Sequence, residues 1–351
     1  MGARGQKQSG LTLVEVMVGA VISLVLLNGV IQIFLSSKQT YRFGDAISRL
    51  QEGGRFAMDL LTRDIRMAGY QGCADLSAVP ANVIANTPPV GIFNTEAVQG
   101  WEVGTTSWTP ASPAQPADLT ALVKKNTDVI SVKHASDLGV MLTGNMLSDN
   151  ANIQITGNTA GFKKDDVLFI SDCETVDVFR ATTVSSGSGT VTIAHANSTN
   201  STNKLSKAYG TNTTVYSFDS NYYYVADTGR TNSRAQKIYG LFKRDINGAI
   251  SEIVEGVENM QVLYGERLSN GTIRYVAANN GTLVATNIVS VRIGLLLHST
   301  EPVNQDLDNT TYSVLGTDVK PVGTSGAVVT HEVDKRLRRV FVSTIKLRNR
   351  R

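Results

Sequence analysis

The sequence predicts an α+β protein, in which one long N-terminal α-helix packs on a mostly antiparallel β-sheet head. Three observations lead to this fold class. An apolar run at 11–35 passes into a helical pattern that reaches residue 68, strand-like runs fill much of the chain beyond it, and asparagine–glycine turns separate several of those runs. The helix and the strands therefore occupy separate parts of the chain.

The apolar run from Leu11 to Leu35 contains one charged residue, Glu15. Its 25 residues would span about 38 Å as a helix, which is enough to cross the hydrocarbon core of a bilayer. Arg4 and Lys7 precede the run, so the positive-inside rule predicts a cytoplasmic N-terminus and a chain that crosses the membrane after residue 35. The run is too long for a secretory signal peptide, and no small-x-small cleavage site follows it.

The helical pattern continues over 36–68. Apolar residues recur there at three- or four-residue steps or multiples of them, no proline occurs from residue 11 to Gly69, and Gly69 stands where a helix C-cap is expected. A helix over about 12–68 would be about 85 Å long. Glycines are its expected weak points, where it could bend or melt locally: Gly29, Gly44, Gly53 and Gly54.

The head begins at residue 69, and we expect 69–351 to form one domain. Residues 76–126 are rich in Pro, Thr, Ala and Asn and are expected to be loops, with Trp101 and Trp108 as loop-packing residues or a contact surface. The polar stretch 197–207 is expected to be an exposed loop.

Strands are predicted from runs of β-branched and aromatic residues bounded by turn signals. Alternation along such a strand predicts that one or two of the tyrosines at 222–224 reach the core. The predicted strands are Val129–His134, Val167–Ser171, Thr175–Arg180, Thr190–His195, Val215–Phe218, Tyr222–Ala226, Tyr239–Arg244, Val254–Tyr264, Thr272–Val276, Ile288–His298 and Arg339–Leu347.

The sequence carries no motif typical of catalysis, of a cofactor site or of a metal site. Its four histidines lack His-x-His and HExxH spacing, and no P-loop or dinucleotide fingerprint occurs. Asn304, Asp306 and Asp308 alternate like the start of a calcium loop, but Asn309 and Leu315 replace the required glycine and glutamate. We therefore predict no catalytic residue, no cofactor and no metal.

Cys73 and Cys173 are the two cysteines of the chain, and both follow the apolar run. An oxidising compartment beyond the membrane would favour a bridge between them, worth about 4–5 kcal/mol for a loop of that order. The absence of C-x-x-C disfavours a redox pair. We predict a structural disulfide that ties the end of the helix to a strand of the head.

The N-terminal residues SG-LTLVEVMV resemble the class III signal of type IV pilins and type II secretion pseudopilins. The resemblance implies that a prepilin peptidase cuts between Gly10 and Leu11, and that Leu11 is then N-methylated. It also implies that Glu15 is the assembly glutamate, which neutralises the terminal amine of a neighbouring subunit. The chain departs from the family in starting its mature form with Leu11 instead of phenylalanine.

Four further segments resemble the PilW family of minor pilins, although J-type pseudopilins share their general pattern. They are MAGYQGC at 67–73, ISDC at 170–173, EGVENMQVLYG at 255–265 and RRVFVSTIKLRNR at 338–350. The resemblance implies a pilin-like fold with a leader at 1–10, a membrane and assembly helix at 11–35, its continuation at 36–68 and a periplasmic, later surface-exposed, head at 69–351.

The resemblance implies a non-enzymatic minor pilin that helps to initiate a type IV pilus, with the pilus tip as its candidate position. Its implied partners are other minor pilins, the major pilin, the inner-membrane assembly platform, the prepilin peptidase and, further out, a large tip adhesin. Two alternatives remain open: a minor pseudopilin of a type II secretion system, and a tip adhesin or DNA-binding receptor.

The charge of the chain is unevenly distributed. The full sequence has 33 basic and 30 acidic residues, or +3, and loss of Arg4 and Lys7 with the leader would leave 31 − 30, or +1. Residues 335–351 contain eight basic residues and no acidic ones, so 11–334 carry 23 − 30, or −7. We expect this segment to dock against acidic neighbours, and do not expect nucleic acid as a partner.

Overall fold

The structure is a computed structural model and describes residues 12–75, 79, 81–86, 97–187 and 189–349. Helix α1 spans Leu13–Met67. The strands before residue 200 are β1 (Tyr70–Gln71), β2 (Ala74–Asp75), β3 (Asn82–Val83), β4 (Val98–Val103), β5 (Trp108–Thr109), β6 (Thr127–Met141), β7 (Ile153–Ile155), β8 (Val167–Ser171), β9 (Val176–Arg180), β10 (Thr183–Ser186) and β11 (Val191–Ala194). Those after it are β12 (Thr214–Thr231), β13 (Lys237–Arg244), β14 (Ile250–Glu255), β15 (Val257–Arg267), β16 (Ile273–Val276), β17 (Ile288–His298), β18 (Tyr312–Val314), β19 (Thr317–Pro321), β20 (Thr330–His331) and β21 (Arg338–Lys346), with a 3₁₀-helix at Ala285–Asn287.

The described strands form five sheets, and two of them make up most of the head. The nine-stranded sheet has the order β3-β9-β8-β12-β6-β4-β5, with β13 pairing beside β12 and β14 beside β13. The four-stranded sheet has the order β16-β15-β17-β21. All pairs are antiparallel except β3 with β9 and β19 with β20. The predicted α+β class with a mostly antiparallel head is confirmed.

Helix α1 confirms the prediction over 12–68 to within one residue at each end. Its buried residues recur at steps of three or four, which places them in one stripe on the head-facing side: Ala46, Leu50, Gly54, Ala57, Leu61 and Ile65. This stripe packs on side chains from β15, β17 and β21 of the four-stranded sheet and from β6 and β12 of the nine-stranded sheet.

The expectation that glycines locally melt α1 is wrong. The helix is continuous through Gly29, Gly44, Gly53 and Gly54. At Gly54 the missing side chain leaves room for the ring of Phe341, because a Cβ there would lie 2.5 Å from that ring. The backbone of α1 thus approaches β21 more closely than any other residue type would allow.

The prediction that 76–126 is loop is wrong for β3, β4 and β5. Strand β4 pairs with β6 along six residues, from Val98 opposite Val132 to Val103 opposite Thr127. Trp101 is buried in β4, stacks on Tyr222 with ring centroids 6.1 Å apart, and donates from Nε1 to the carbonyl oxygen of Pro113. The two tryptophans therefore belong to the core and not to a contact surface.

The tyrosine run on β12 is buried on both faces of the strand, where the sequence predicted one or two buried side chains. Tyr223 packs in the core beneath α1, while Tyr222 and Tyr224 pack in a second core with Trp101. The segment between β5 and β6 covers that second face. A strand between two cores buries successive residues, so alternation does not predict exposure.

Three further features of the head differ from the prediction. The runs predicted at 215–218 and 222–226 are one strand, β12, whereas 254–264 is divided between β14 and β15 at Gly256, where φ is +81°. A side chain on Gly256 would meet the carbonyl oxygen of His298 at 2.6 Å. The stretch 197–207 is not fully exposed, because Asn200 and Leu205 are buried.

Candidate functional site

The N-terminus of α1 is closed by Thr12 and Glu15. The Glu15 carboxylate accepts from the Thr12 backbone N–H and from the Thr12 hydroxyl, both at 2.9 Å, and the Thr12 hydroxyl oxygen accepts from the Glu15 N–H at 3.3 Å. This reciprocal capping box satisfies two of the free N–H groups at a helix start. It holds the carboxylate against the backbone of Thr12. The predicted processing residues Gly10 and Leu11 lie outside the described residues.

The first half of α1 has no cover in the described structure. It contains an 18-residue window of mean hydropathy 2.3 with none of its residues buried. Length and composition suffice for it to cross a membrane. An apolar surface of this extent needs a bilayer or neighbouring helices to shield it from water.

The second half of α1 is fixed to the head by a buried polar cluster. Asp64 accepts hydrogen bonds from His134 Nε2 at 2.9 Å, from the Tyr223 hydroxyl at 2.9 Å and from the Asn221 amide at 3.2 and 3.3 Å. Burial alone would raise the pKa of Asp64, but the hydrogen bond and charge of His134 hold it below its usual value. Burial would lower the pKa of His134, but the bond to Asp64 raises it. The cluster thus favours the charged forms of Asp64 and His134.

The C-terminal end of α1 is completed by residues that follow β21. The carbonyl oxygen of Arg66 accepts from the Arg348 N–H at 3.2 Å, and that of Met67 accepts from the Asn349 side chain at 3.4 Å. Gly69, with φ of +75°, donates its N–H to Lys133 on β6. Carbonyl groups that lack partners in the last turn are thereby satisfied by the head.

Part of the basic segment 335–351 is internal, which corrects the expectation that it docks on neighbours. Arg338 is buried and donates to Glu258 at 2.7 Å, to Asp334 at 2.9 Å and to Asp308 at 3.1 Å. Burial would raise the pKa of Glu258, but the charge of Arg338 holds it far below its usual value. For Arg338 and the neighbouring Arg336, whose Nε donates to Asp334, the acidic partners are in the same chain.

The predicted disulfide joins Cys73 to Cys173, with Cα atoms 4.7 Å apart and 100 residues between them in sequence. Cys73 lies in the turn between β1 and β2, and Cys173 in the turn between β8 and β9. The bridge therefore connects two hairpin turns, where the sequence predicted the helix end and a strand.

A groove of about 920 Å³ lies between the middle of α1 and the head. Its wall on α1 includes Tyr41, Arg49 and Phe56, and its wall on the head includes Val254 and Glu301. Apolar side chains and charges of both signs thus line one opening beside the point where α1 leaves the head.

The histidines and the calcium-like residues do not assemble into a site. Among the described residues, no group of three or more His, Cys, Asp or Glu is arranged to hold a metal ion. Asp308 instead accepts from Arg338 and Tyr312, and the Asn304 amide donates to the carbonyl oxygen of Arg336. Each histidine is buried and makes at least one hydrogen bond: His134, His195, His298 and His331.

Sequence reasoning missed the residues that seat α1 on the head. Asp64 could have been found, because it lies near Ala57 and Leu61 on the apolar face of a helix where a charge requires a partner. Its partner His134 is 70 residues away, and no local signal connects the two. The contact of Gly54 with Phe341 had no sequence signal beyond the presence of a helical glycine.

Comparison with known proteins gives two matches. A family model described as Type IV Pilus-assembly protein W matches residues 222–349, and one described as the prokaryotic N-terminal methylation motif matches residues 5–27. The first match contains two of the four quoted head segments, those at 255–265 and at 338–350 apart from Arg350. No curated protein and no solved structure matches the chain.

The first half of α1 is apolar and uncovered, and its second half packs on a β-rich head. Together with a methylation motif at the N-terminus, this arrangement defines a type IV pilin-like protein. The two matches support a type IV pilus minor pilin of the PilW family. The family is a structural and assembly component of the pilus. The methylation motif and the apolar helix support anchoring of the chain in the membrane through its N-terminus.

Proposed function

We propose that this chain is a low-abundance subunit that helps to initiate a type IV pilus and remains at its tip. The contrast within α1 carries the proposal: its first half is free to pack among other helices, while its second half bears a head of two large and three small sheets. A head of this size would clash with neighbouring subunits inside a repeating helical filament, whereas the end of the filament has room for it. The protein acts through helix packing and subunit contacts.

The N-terminus supplies the assembly chemistry in this proposal. A prepilin peptidase cuts between Gly10 and Leu11, and Leu11 becomes the methylated amine. The Glu15 carboxylate then neutralises the amine of a neighbouring subunit inside the bilayer, where two unpaired charges would be costly. The capping box supports this role, because it holds the Glu15 carboxylate at the first turn of α1.

The proposed location follows from the charges of the leader and from the cysteines. Arg4 and Lys7 keep the N-terminus in the cytoplasm, so the head at 69–351 lies in the periplasm. After assembly the head is exposed at the cell surface. The bridge between Cys73 and Cys173 supports this location, because disulfides persist in oxidising compartments. The partners in this location are other minor pilins, the major pilin, the assembly platform and a large tip adhesin.

The experiment that tests the role is deletion of the gene in cells with and without active pilus retraction. A priming subunit predicts loss of surface pili that is reversed when retraction is blocked. Unchanged piliation after deletion would contradict the proposal. If protein secretion fails while pili remain normal, the chain is a type II secretion pseudopilin, which is the closest alternative.

A further inference from the structure

Two carboxyl groups, those of Glu102 and Asp128, lie side by side inside the head. The two residues are directly opposite each other in the register of β4 and β6, and Asp128 is buried. Side chains at directly opposed positions of an antiparallel pair lie on the same face of the sheet, about 5 Å apart at Cβ, so the two carboxyl groups are neighbours. Because an ionised carboxylate is only an acceptor, a hydrogen bond between the two groups requires a proton on one of them.

The pair connects the two large sheets. Asp128 accepts from the Val262 N–H of β15 at 2.7 Å, and Glu102 accepts from the Ala278 N–H, just beyond β16, at 3.2 Å. Strands β4 and β6 belong to the nine-stranded sheet, whereas β15 and β16 belong to the four-stranded one. Each carboxyl group thus accepts a backbone bond across the boundary between the sheets.

Tyr264 gives a second and independent observation at this place. Its hydroxyl is fully buried and has no hydrogen-bond partner among the described residues. The oxygen lies over Gly100, where a Cβ would be only 1.8 Å away, and Gly100 is two residues from Glu102 on the same face of β4. Burial, followed by the negative charge of Asp128 and Glu102, raises the pKa of Tyr264, so this unused O–H donor keeps its proton.

The surrounding elements carry other ionisable side chains, and the basic ones are paired elsewhere or exposed. Arg274 pairs with Glu266 at 2.7 Å, and Lys124 donates to the carbonyl oxygen of Glu258 at 2.7 Å. Lys125 is exposed. The ionisable groups on the neighbouring parts of β15 and β16 and in the segment before β6 are Glu258, Tyr264, Glu266, Arg274, Tyr275, Lys124 and Lys125.

We propose that Glu102 and Asp128 share one proton, and that this shared proton is a pH-sensitive tie between the two large sheets of the head. With the proton in place, the two groups bond to each other and to both sheets. Without it, two like charges face each other at directly paired strand positions, which is destabilising. The tie then holds in mildly acidic surroundings and weakens as the pH rises.

The sign of the effect follows from proton binding in the two states. Burial, followed by the charge of Glu102, raises the pKa of Asp128 well above its usual value. Unfolded carboxyl groups ionise near about pH 4, so above that pH the folded state holds one proton more. Folding is then weakened by at most about tenfold for each further pH unit, until the pair loses its proton.

The test uses the full chain in detergent and denaturant unfolding between about pH 5 and about pH 8. Trp101, next to Glu102 on β4, reports unfolding by its fluorescence. In Asp128→Asn the side-chain oxygen can still accept from Val262 and the amide can donate to Glu102. We expect the unfolding constant of the wild type to rise over this range by about tenfold more than that of the variant. The ion pair of Asp64 and His134 is present in both proteins, so its pH dependence cancels.

Matched variants complete the test. Asp318→Asn, which makes the same change at an exposed strand position, should keep the pH dependence of the wild type. If Asp128→Asn does not fold, Glu102→Gln takes its place. The infrared C=O stretch of a carboxylic acid should then be weaker in Glu102→Gln than in the wild type at about pH 6. An unchanged pH dependence or an unchanged infrared band would overturn the proposal. The proposal would also be overturned if calcium chloride raised the melting temperature of the wild type and not that of the variant, because a cation would then hold the pair.

Discussion

Nε2 of His134 lies 2.9 Å from the Asp64 carboxylate of α1, and Nδ1 of the same ring lies 2.9 Å from the carbonyl oxygen of Ala135. Both partners are acceptors, and only the protonated imidazole can donate from both ring nitrogens. This setting favours the charged form of His134, in agreement with its raised pKa. A pair of this kind, inside a junction of helix and sheet, makes the seating of α1 depend on pH.

We expect this pair to stabilise the head fully between about pH 4 and about pH 6.5, the ordinary pKa values of the two groups. The pKa of His134 is raised, so its contribution is lost as the pH rises through that value. The pKa of Asp64 is lowered, so its contribution is lost as the pH falls through that value. Asp64→Asn should cost about 3 kcal/mol near pH 6, measured by denaturant unfolding. The exposed Asp59→Asn on the same helix should cost almost nothing, and equal costs would contradict the assignment.

A methyl group should have opposite effects at two glycines of α1. Gly44→Ala has open space around it and should raise the free energy of unfolding by about 0.5–1 kcal/mol through helix propensity. Gly54→Ala would meet the Phe341 ring and should lower it by about 1–3 kcal/mol. Thermal unfolding of the two variants measures the difference. If a smaller residue at position 341 does not relieve Gly54→Ala, the contact is not the cause.

Replacement of Arg338 by lysine tests the buried acidic cluster. Lysine keeps the charge but lacks the fork that reaches Glu258, Asp308 and Asp334 together, so we expect Arg338→Lys to cost about 3 kcal/mol. Arg339→Lys, at the exposed neighbouring position on β21, is the matched control and should stay within about 0.5 kcal/mol of the wild type. Equal stability of the two variants would show that the cluster contributes nothing specific.

Loss of the bridge between Cys73 and Cys173 should lower the free energy of unfolding by about 4 kcal/mol, because it closes a loop of 100 residues. The double serine variant and the reduced wild type should unfold alike. Mass spectrometry of protein from an oxidising compartment should find the two cysteines joined. Two free thiols in that sample would refute the bridge.

The two functions of Glu15 can be separated. Glu15→Gln keeps an oxygen that accepts from the Thr12 N–H but removes the charge, whereas Thr12→Ala removes the hydroxyl of the capping box and keeps the charge. If charge pairing drives assembly, Glu15→Gln should reach the membrane but not sheared pili, as should Glu15→Ala, while Thr12→Ala enters both. Immunoblots of membrane and pilus fractions measure this. Normal incorporation of Glu15→Gln would leave the glutamate with a capping role alone.

The sequence was sufficient for the elements with a strong local pattern. The ends of α1 were predicted to one residue, and β8 and β17 were predicted at their observed limits, because uninterrupted apolar runs and turn residues mark them. Part of the family resemblance came from segments of this kind, at the start of α1 and at the end of β8.

The sequence was insufficient where distant segments decide burial. Trp101 lies in a stretch whose composition suggests a loop, yet it is buried because Tyr222 lies across the sheet from it. Phe341 looks like an ordinary strand residue, and only the position of Gly54 makes it a helix seat. The carboxyl pair of Glu102 and Asp128 depends on the register of β4 and β6, which no local pattern specifies.

The closure of α1 by residues beyond β21 imposes an order on biogenesis. Asn349 follows Met67 by 282 residues, and Phe341 is made long after Gly54. The membrane half of the helix can therefore be inserted while its head half still lacks the strand that covers it. A chain stopped before residue 341 would carry a finished anchor and an open apolar stripe, which exposes it to aggregation and proteolysis. The head half of α1 therefore gains its cover only after β21 has been made.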